Sequence, residues 1–149
     1  MTMRCSVAVV ILASAAIAIG CAARVPTPQP LPLDRVECAH CGMLISSERG
    51  SGEVVSADGD ARFFDDIACL AADWIAHAAA ARGARAFVRL PGGGWADATD
   101  AAYARPASAR TAMGSGIAAF ASTADAQAAD SGGRAMTFDE VVRQSGEKR

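Results

Sequence analysis

The 149-residue chain is poor in the features that identify most functions. Aromatic residues make up 5% of it, with one tyrosine and two tryptophans, so the 52% apolar content, inflated by alanine, overstates the core available for packing. A formal net charge of −2 supplies no basic field for a polyanion, and no arginine-rich stretch interleaved with aromatics is present; both features argue against nucleic-acid binding. No Ser/His/Asp order stands out, the carboxylates are scattered, and the glycines after Pro91 follow turn logic and not phosphate-cradle logic, so an enzyme has little support. The only long apolar run, Val7 to Ile19, is shorter than the roughly twenty residues a membrane-spanning helix needs.

That run follows Arg4 and precedes Gly20-Cys21, the arrangement of a secretory signal, which excludes residues 1–20 and with them Cys5 from the fold. Ala18-Ile19-Gly20-Cys21 resembles the lipobox of bacterial lipoproteins, with alanine where leucine is usual. The resemblance implies lipidation of Cys21 and a membrane anchor; ordinary cleavage and an uncleaved anchor are the alternatives. Residues 21–33, with prolines at 26, 28, 30 and 32, read as an extended tether without packed structure. Residues 34–149 then form one small domain.

Three cysteines remain in that domain: Cys38, Cys41 and Cys69. An odd number fits metal binding or redox chemistry better than a disulfide framework, although a Cys38–Cys41 disulfide stays open for the metal-free state. Cys38-Ala39-His40-Cys41-Gly42-Met43 gathers two thiols, an imidazole and a thioether in six residues. Soft sulfur donors select Cu(I), which accepts two or three ligands, so Cys38, Cys41 and one thioether from Met43 or Met113 suffice. Met113 sits before Gly114-Ser115-Gly116, where no apolar periodicity would bury it; His40 is an accessory ligand or an exposed bystander. A structural zinc site needs four ligands, and no second Cys/His pair follows the first. A dithiol oxidoreductase needs its Cys-x-x-Cys at the start of a helix, whereas Leu44 to Gly50 reads as a strand entering a loop.

Asp58-Gly59 between β-prone runs predicts a hairpin. Asp65 or Asp66 then caps a helix to about Arg82, stopped by Gly83. At about 100° per residue, Ile67, Leu70, Ala71 and Trp74 share the core face, with Cys69 and Asp73 nearly opposite, on the outer face or against a second layer. Cys69 is expected to be a buried or inert thiol, and His77 to pair with Asp73 one turn earlier. A strand over 86–90 precedes the glycine turn at 91–94, which divides the domain into lobes of about 34–90 and 91–149. Residues 95–105 are extended around Tyr103, 117–120 form a strand, Ser122 caps a helix to about Asp130, and Thr137 with Glu140 caps a last short one. The order of elements in the two halves hints at a degenerate duplication.

The combination of a lipoprotein signal, Cys38-x-x-Cys41-Gly42-Met43, Phe63-Phe64-Asp65-Asp66-Ile67, Trp95-Ala96-Asp97-Ala98, Ala102-Tyr103 and Ala112-Met113-Gly114-Ser115-Gly116 resembles the NosL family of nitrous-oxide reductase accessory lipoproteins. The resemblance implies an α+β fold of two related ββαβ lobes with a treble-clef-like knuckle. It also implies a periplasm-facing Cu(I) chaperone and not an enzyme, with Cys38, Cys41, Met43 and Met113 as ligand candidates. The implied partners are a membrane assembly complex and nitrous-oxide reductase.

Overall fold

A computed structural model describes residues 25–77 and 82–147. The Asp58-Gly59 turn joins β1 (Gly52–Val55) to β2 (Ala61–Phe64), as its composition predicts. Helix α1 (Ile67–His77) crosses to β3 (Arg85–Arg89), which pairs with the other edge of β1. Residues 78–81, where the predicted helix would continue, lie outside the described residues; Gly83 beyond them has φ of 75°, the left-handed conformation expected of a helix stop.

β4 (Trp95–Asp97) pairs with β3 and completes an antiparallel sheet of order β2-β1-β3-β4. The glycine turn at 91–94, taken from sequence as the lobe boundary, is therefore a hairpin inside the first sheet. A glycine-rich turn reverses a chain equally well within a lobe or between two, so composition cannot distinguish the cases.

The second half repeats the first in reduced form. β5 (Ala102–Ala104) pairs with β6 (Ala118–Phe120), α2 (Thr123–Ala129) follows, and Met136 then bridges back to Tyr103 on β5. In each half the first strand lies between the second and the segment after the helix, the expected ββαβ order. Ser122 Oγ accepts from Asp125 N at 3.1 Å at the start of α2, and a full capping box of Thr137 and Glu140 opens α3 (Phe138–Gly146).

One continuous core joins both halves. Ile67, Leu70 and Ala71 of α1 are fully buried against Val54, Phe64 and Val88 of the sheet, and the same cluster includes Tyr103, Ile117, Phe138 and Val141 from the second half. Phe138 bridges the two, its ring 6.1 Å from Trp74 and 6.0 Å from Tyr103, whose hydroxyl donates to Ala98 O at 2.7 Å. Gly52 is demanded by this packing, because a Cβ there would lie 2.9 Å from Leu70 Cδ2 and 3.1 Å from Phe87 O. His77 pairs with Asp73 at 3.1 Å as expected, but Asp73 is not on an open face: it is buried beside Arg62 of β2, 2.8 Å away.

The proline-rich segment departs from expectation within its described part. Leu31 and Leu33 pack against the core, and Gln29 N donates to Glu53 Oε1 at 2.9 Å. Proline spacing keeps such a chain extended, but it also leaves alternate side chains free to turn inward, and Leu31 and Leu33 do so. Glu53 is fully buried on β1 and its Oε2 has no partner among the described residues. Burial pushes its carboxyl up to about 7, opposed in part by the Gln29 amide and by Arg89.

A folded-state value above the unfolded one favours the protonated carboxyl. The associated stability is complete below about 4.5 and is lost as pH rises through about 7. Raising pH from 5 to 8 should destabilise the protein by roughly 2 kcal/mol through this group, and Glu53→Gln should remove most of that dependence in chemical denaturation. An identical pH profile for Glu53→Gln would show that Glu53 titrates normally.

Candidate metal centre

The knuckle is built by the backbone. An isolated bridge pairs Glu37 with Leu44, Cys38 N donates to Met43 O at 2.7 Å, and Gly42 N donates to Cys38 O at 2.9 Å. This tight reversal places Gly42 at φ of 76°, a conformation that disfavours any residue with a Cβ. Ala39 N donates to Phe63 O at 2.9 Å, fixing the knuckle to the end of β2 and so beside the start of α1.

Four donors converge there. One ligand atom each from Cys38, Cys41, Asp65 and Cys69 lies within 4.8 Å of all the others. Metal–sulfur bonds of about 2.3 Å place bound sulfurs roughly 3.8 to 4 Å apart, so modest closure would bring this set onto one ion. Cys38 and Cys69 are buried and Cys41 is half-buried, its Sγ 3.5 Å from Asp65 Oδ2.

Two members of this set were not anticipated as ligands. Asp65 reads from sequence as a possible helix cap, but Asp66 performs that role, its Oδ1 accepting from Ala68 N at 2.8 Å and leaving Asp65 free to face Cys41. Cys69 lies against the second layer, which is the knuckle itself, and is thereby a neighbour of Cys38 instead of an isolated thiol. The signals for them were the odd count of three cysteines, which included Cys69, and the Phe63-Phe64-Asp65-Asp66-Ile67 run that opens the helix.

The predicted ligands Met43 and Met113 are on the surface, 42% and 50% exposed, and His40 is also exposed and outside the cluster. Met113 is nevertheless brought to this end of the molecule. Asp66 Oδ2 accepts from Met113 N at 3.1 Å and Asp66 Oδ1 from Ser115 Oγ at 2.6 Å, which docks the loop one residue away from Asp65. The loop from the second half and the knuckle from the first thus flank the start of α1. Cys5 and Cys21 lie outside the described residues.

The thiols do not share protons equally. The Cys69 thiol donates to Cys38, and backbone N–H groups of Cys41, Asp65 and His40 add to this, so the Cys38 pKa falls to about 6 against the cost of burial. Cys69 is held well above the ordinary thiol range because it donates to Cys38 and is buried. Cys41 is raised by burial, with the neighbouring Cys38 and Asp65 adding to the shift. One thiolate flanked by two thiols is a preformed start for a thiolate-binding ion, since the first ligand needs no proton removed above about pH 6.

The NosL family model matches residues 31–145. The chain belongs to the NosL family. Among solved structures, it is similar to the crystal structure of the copper chaperone NosL from Shewanella denitrificans, with 25% identity over 77% of this chain and 96% of that one and a TM-score of 0.56. No match is found among curated proteins. The NosL match spans the knuckle, the start of α1 and the Met113 loop, so the whole four-donor cluster lies inside the family's domain.

Ultraviolet thiolate absorbance of the reduced, metal-free protein should titrate with a first midpoint near 6, thiolate above it and thiol below. Cys38→Ser should abolish that step and Cys69→Ala should move it upward; a first step unchanged by both would assign the thiolate elsewhere. Asp66→Ala removes a helix cap and both loop contacts, and should cost about 2 kcal/mol in denaturant unfolding and accelerate tryptic cleavage after Arg110. Unaltered cleavage would mean that the loop is held by other contacts.

Proposed function

We propose that the protein is a Cu(I) carrier that takes up copper at the knuckle and passes it on for assembly of nitrous-oxide reductase, directly or through a membrane assembly complex. The observation carrying this reading is the convergence of three thiols on one point, with a methionine-bearing loop docked beside it. Soft thiolates suit a soft monovalent ion, and low coordination leaves room for an incoming ligand. The similar Shewanella denitrificans protein is named a copper chaperone, which supports the same cargo here. In this reading the protein acts as a carrier, in keeping with its family and with the chaperone named among its structural relatives.

Cys38, Cys41 and Cys69 form the inner set, and Met43 and Met113 are the outer, neutral donors that receive or release the ion. Neutral thioether is the weaker ligand, so an exposed methionine suits transient occupancy. Lipidation at Cys21 would anchor the protein to a membrane and, with the signal sequence, place it on the periplasmic side.

The competing reading is a zinc knuckle. It gains from Asp65, because three thiolates and a carboxylate make the four-ligand set that the sequence lacked. Metal analysis of protein purified reduced from cells supplied with both ions separates the two: zinc retained and copper absent would favour the knuckle. A dithiol oxidoreductase would instead turn over protein disulfides.

Competition with a chromogenic Cu(I) chelator should give tight binding by the reduced protein. Cys38→Ser plus Cys41→Ser should weaken it by about a hundredfold or more, and Met113→Leu by about tenfold, roughly 1.4 kcal/mol. Affinity untouched by the double cysteine change would reject the site, and affinity untouched by Met113→Leu would remove that methionine from it.

A further inference from the structure

The large apolar side chains most exposed among the described residues are Val25, Ile75, Met43, Leu44 and Met113. The last three occur together on the knuckle and its neighbouring loop. Met43 and Leu44 line a groove of about 630 Å³ whose other wall is Arg110, Thr111 and Ala112, the residues leading into Met113. Asp65 also lines the groove, the same carboxylate that Cys41 Sγ approaches at 3.5 Å, so the groove and the thiol cluster share one residue.

The charge on its rim opposes that of the molecule. The chain carries a net −2, yet the groove presents the two cations Arg49 and Arg110. Neither makes an ion pair among the described residues; Arg110 Nη1 donates only to the carbonyl of Ala107, at 3.1 Å. Of the carboxylates near these cations, Glu48 is paired with Arg89, Asp66 holds the Met113 loop, and Asp65 faces the thiols. Two guanidiniums without an ion pair and the exposed Met43 and Leu44 line one groove together with Asp65 of the four-donor cluster, and such a surface has a clear complement. That complement is a protein segment with acidic residues flanking a soft donor.

We propose that this groove is the seat of the copper-receiving partner, which enters with a methionine set between acidic residues. Its carboxylates pair with Arg49 and Arg110, its apolar positions cover Met43 and Leu44, and its thioether approaches the ion while the knuckle thiolates still hold it. No redox step is involved, because Cu(I) changes ligands and not oxidation state. The pairing also sets direction: opposite charges raise the encounter rate with an acidic recipient and discourage basic surfaces. The inference rests on the Cu(I)-carrier reading and adds the chemistry of the recipient to it.

The test uses the full chain loaded with Cu(I) and three synthetic peptides sharing one central methionine pair, flanked by Asp/Glu, by Asn/Gln or by Lys. Initial rates of copper uptake are compared, with chelator competition run in parallel. The acidic peptide should take copper at least about tenfold faster than the neutral one at low salt, with the advantage shrinking as ionic strength rises. Arg49→Glu plus Arg110→Glu should erase that preference and favour the lysine peptide, at unchanged Cu(I) affinity. The single changes, each losing part of the preference, serve if the double variant fails to fold by circular dichroism. Equal rates for acidic and neutral peptides with retained Cu(I) affinity would overturn the docking proposal alone. Loss of the groove to self-association, seen as a dimer disrupted by the same arginine changes, would overturn it in favour of a second copy. Absence of Cu(I) binding in the chelator assay would remove the carrier reading and this inference together.

Discussion

The buried carboxylate of Asp66 is the contact on which the arrangement of the site depends. One oxygen caps α1 through Ala68 N and takes the Ser115 hydroxyl, while the other takes Met113 N. A single side chain therefore starts the helix that carries Cys69 and fastens the loop that carries Met113. Its burial makes the constraint strong, because none of these partners can be exchanged for water without leaving a polar group unsatisfied. The residue before it is turned by the same backbone toward Cys41.

Around this point the sulfur atoms grade from inside to outside. Cys38 and Cys69 are enclosed, Cys41 is half-exposed at the rim, and Met43 and Met113 stand at the surface. The ends of the series differ in donor strength, from the buried Cys38 thiol, its pKa lowered to about 6, to the exposed neutral thioethers. In the proposed carrier role, such a gradient would hold an ion within and hand it outward by successive replacement of one ligand at a time. The two halves of the chain contribute opposite ends of it, which gives the degenerate ββαβ repeat a purpose beyond packing.

Much of the fold was legible because its signals are local. The Asp58-Gly59 hairpin, the Ser122 cap and the Thr137–Glu140 capping box each involve residues within a few positions of one another, and each is present. The core face of α1 was also legible from periodicity. What escaped was its opposite face: a helix wheel identifies which residues lie opposite Trp74 but not what covers them, and here the knuckle covers Cys69 and Arg62 covers Asp73. The proline-rich segment escaped for the same reason, since its docking depends on Leu31, Leu33 and a carboxyl group on β1 far along the chain.

By itself the sequence determined the kind of atoms available and the turns that present them: a Cys-x-x-Cys-Gly-Met knuckle, a glycine-flanked methionine and an acidic helix start. Only the tertiary structure decided which of those atoms share one space. It added Cys69 and Asp65 to the thiol pair, left His40 outside that set and Met43 and Met113 exposed, and docked the Met113 loop beside the start of α1 through Asp66. The physical reason is that a ligand set is a matter of distance between segments tens of residues apart, and that distance is settled by the packing of α1 between sheet, knuckle and second lobe.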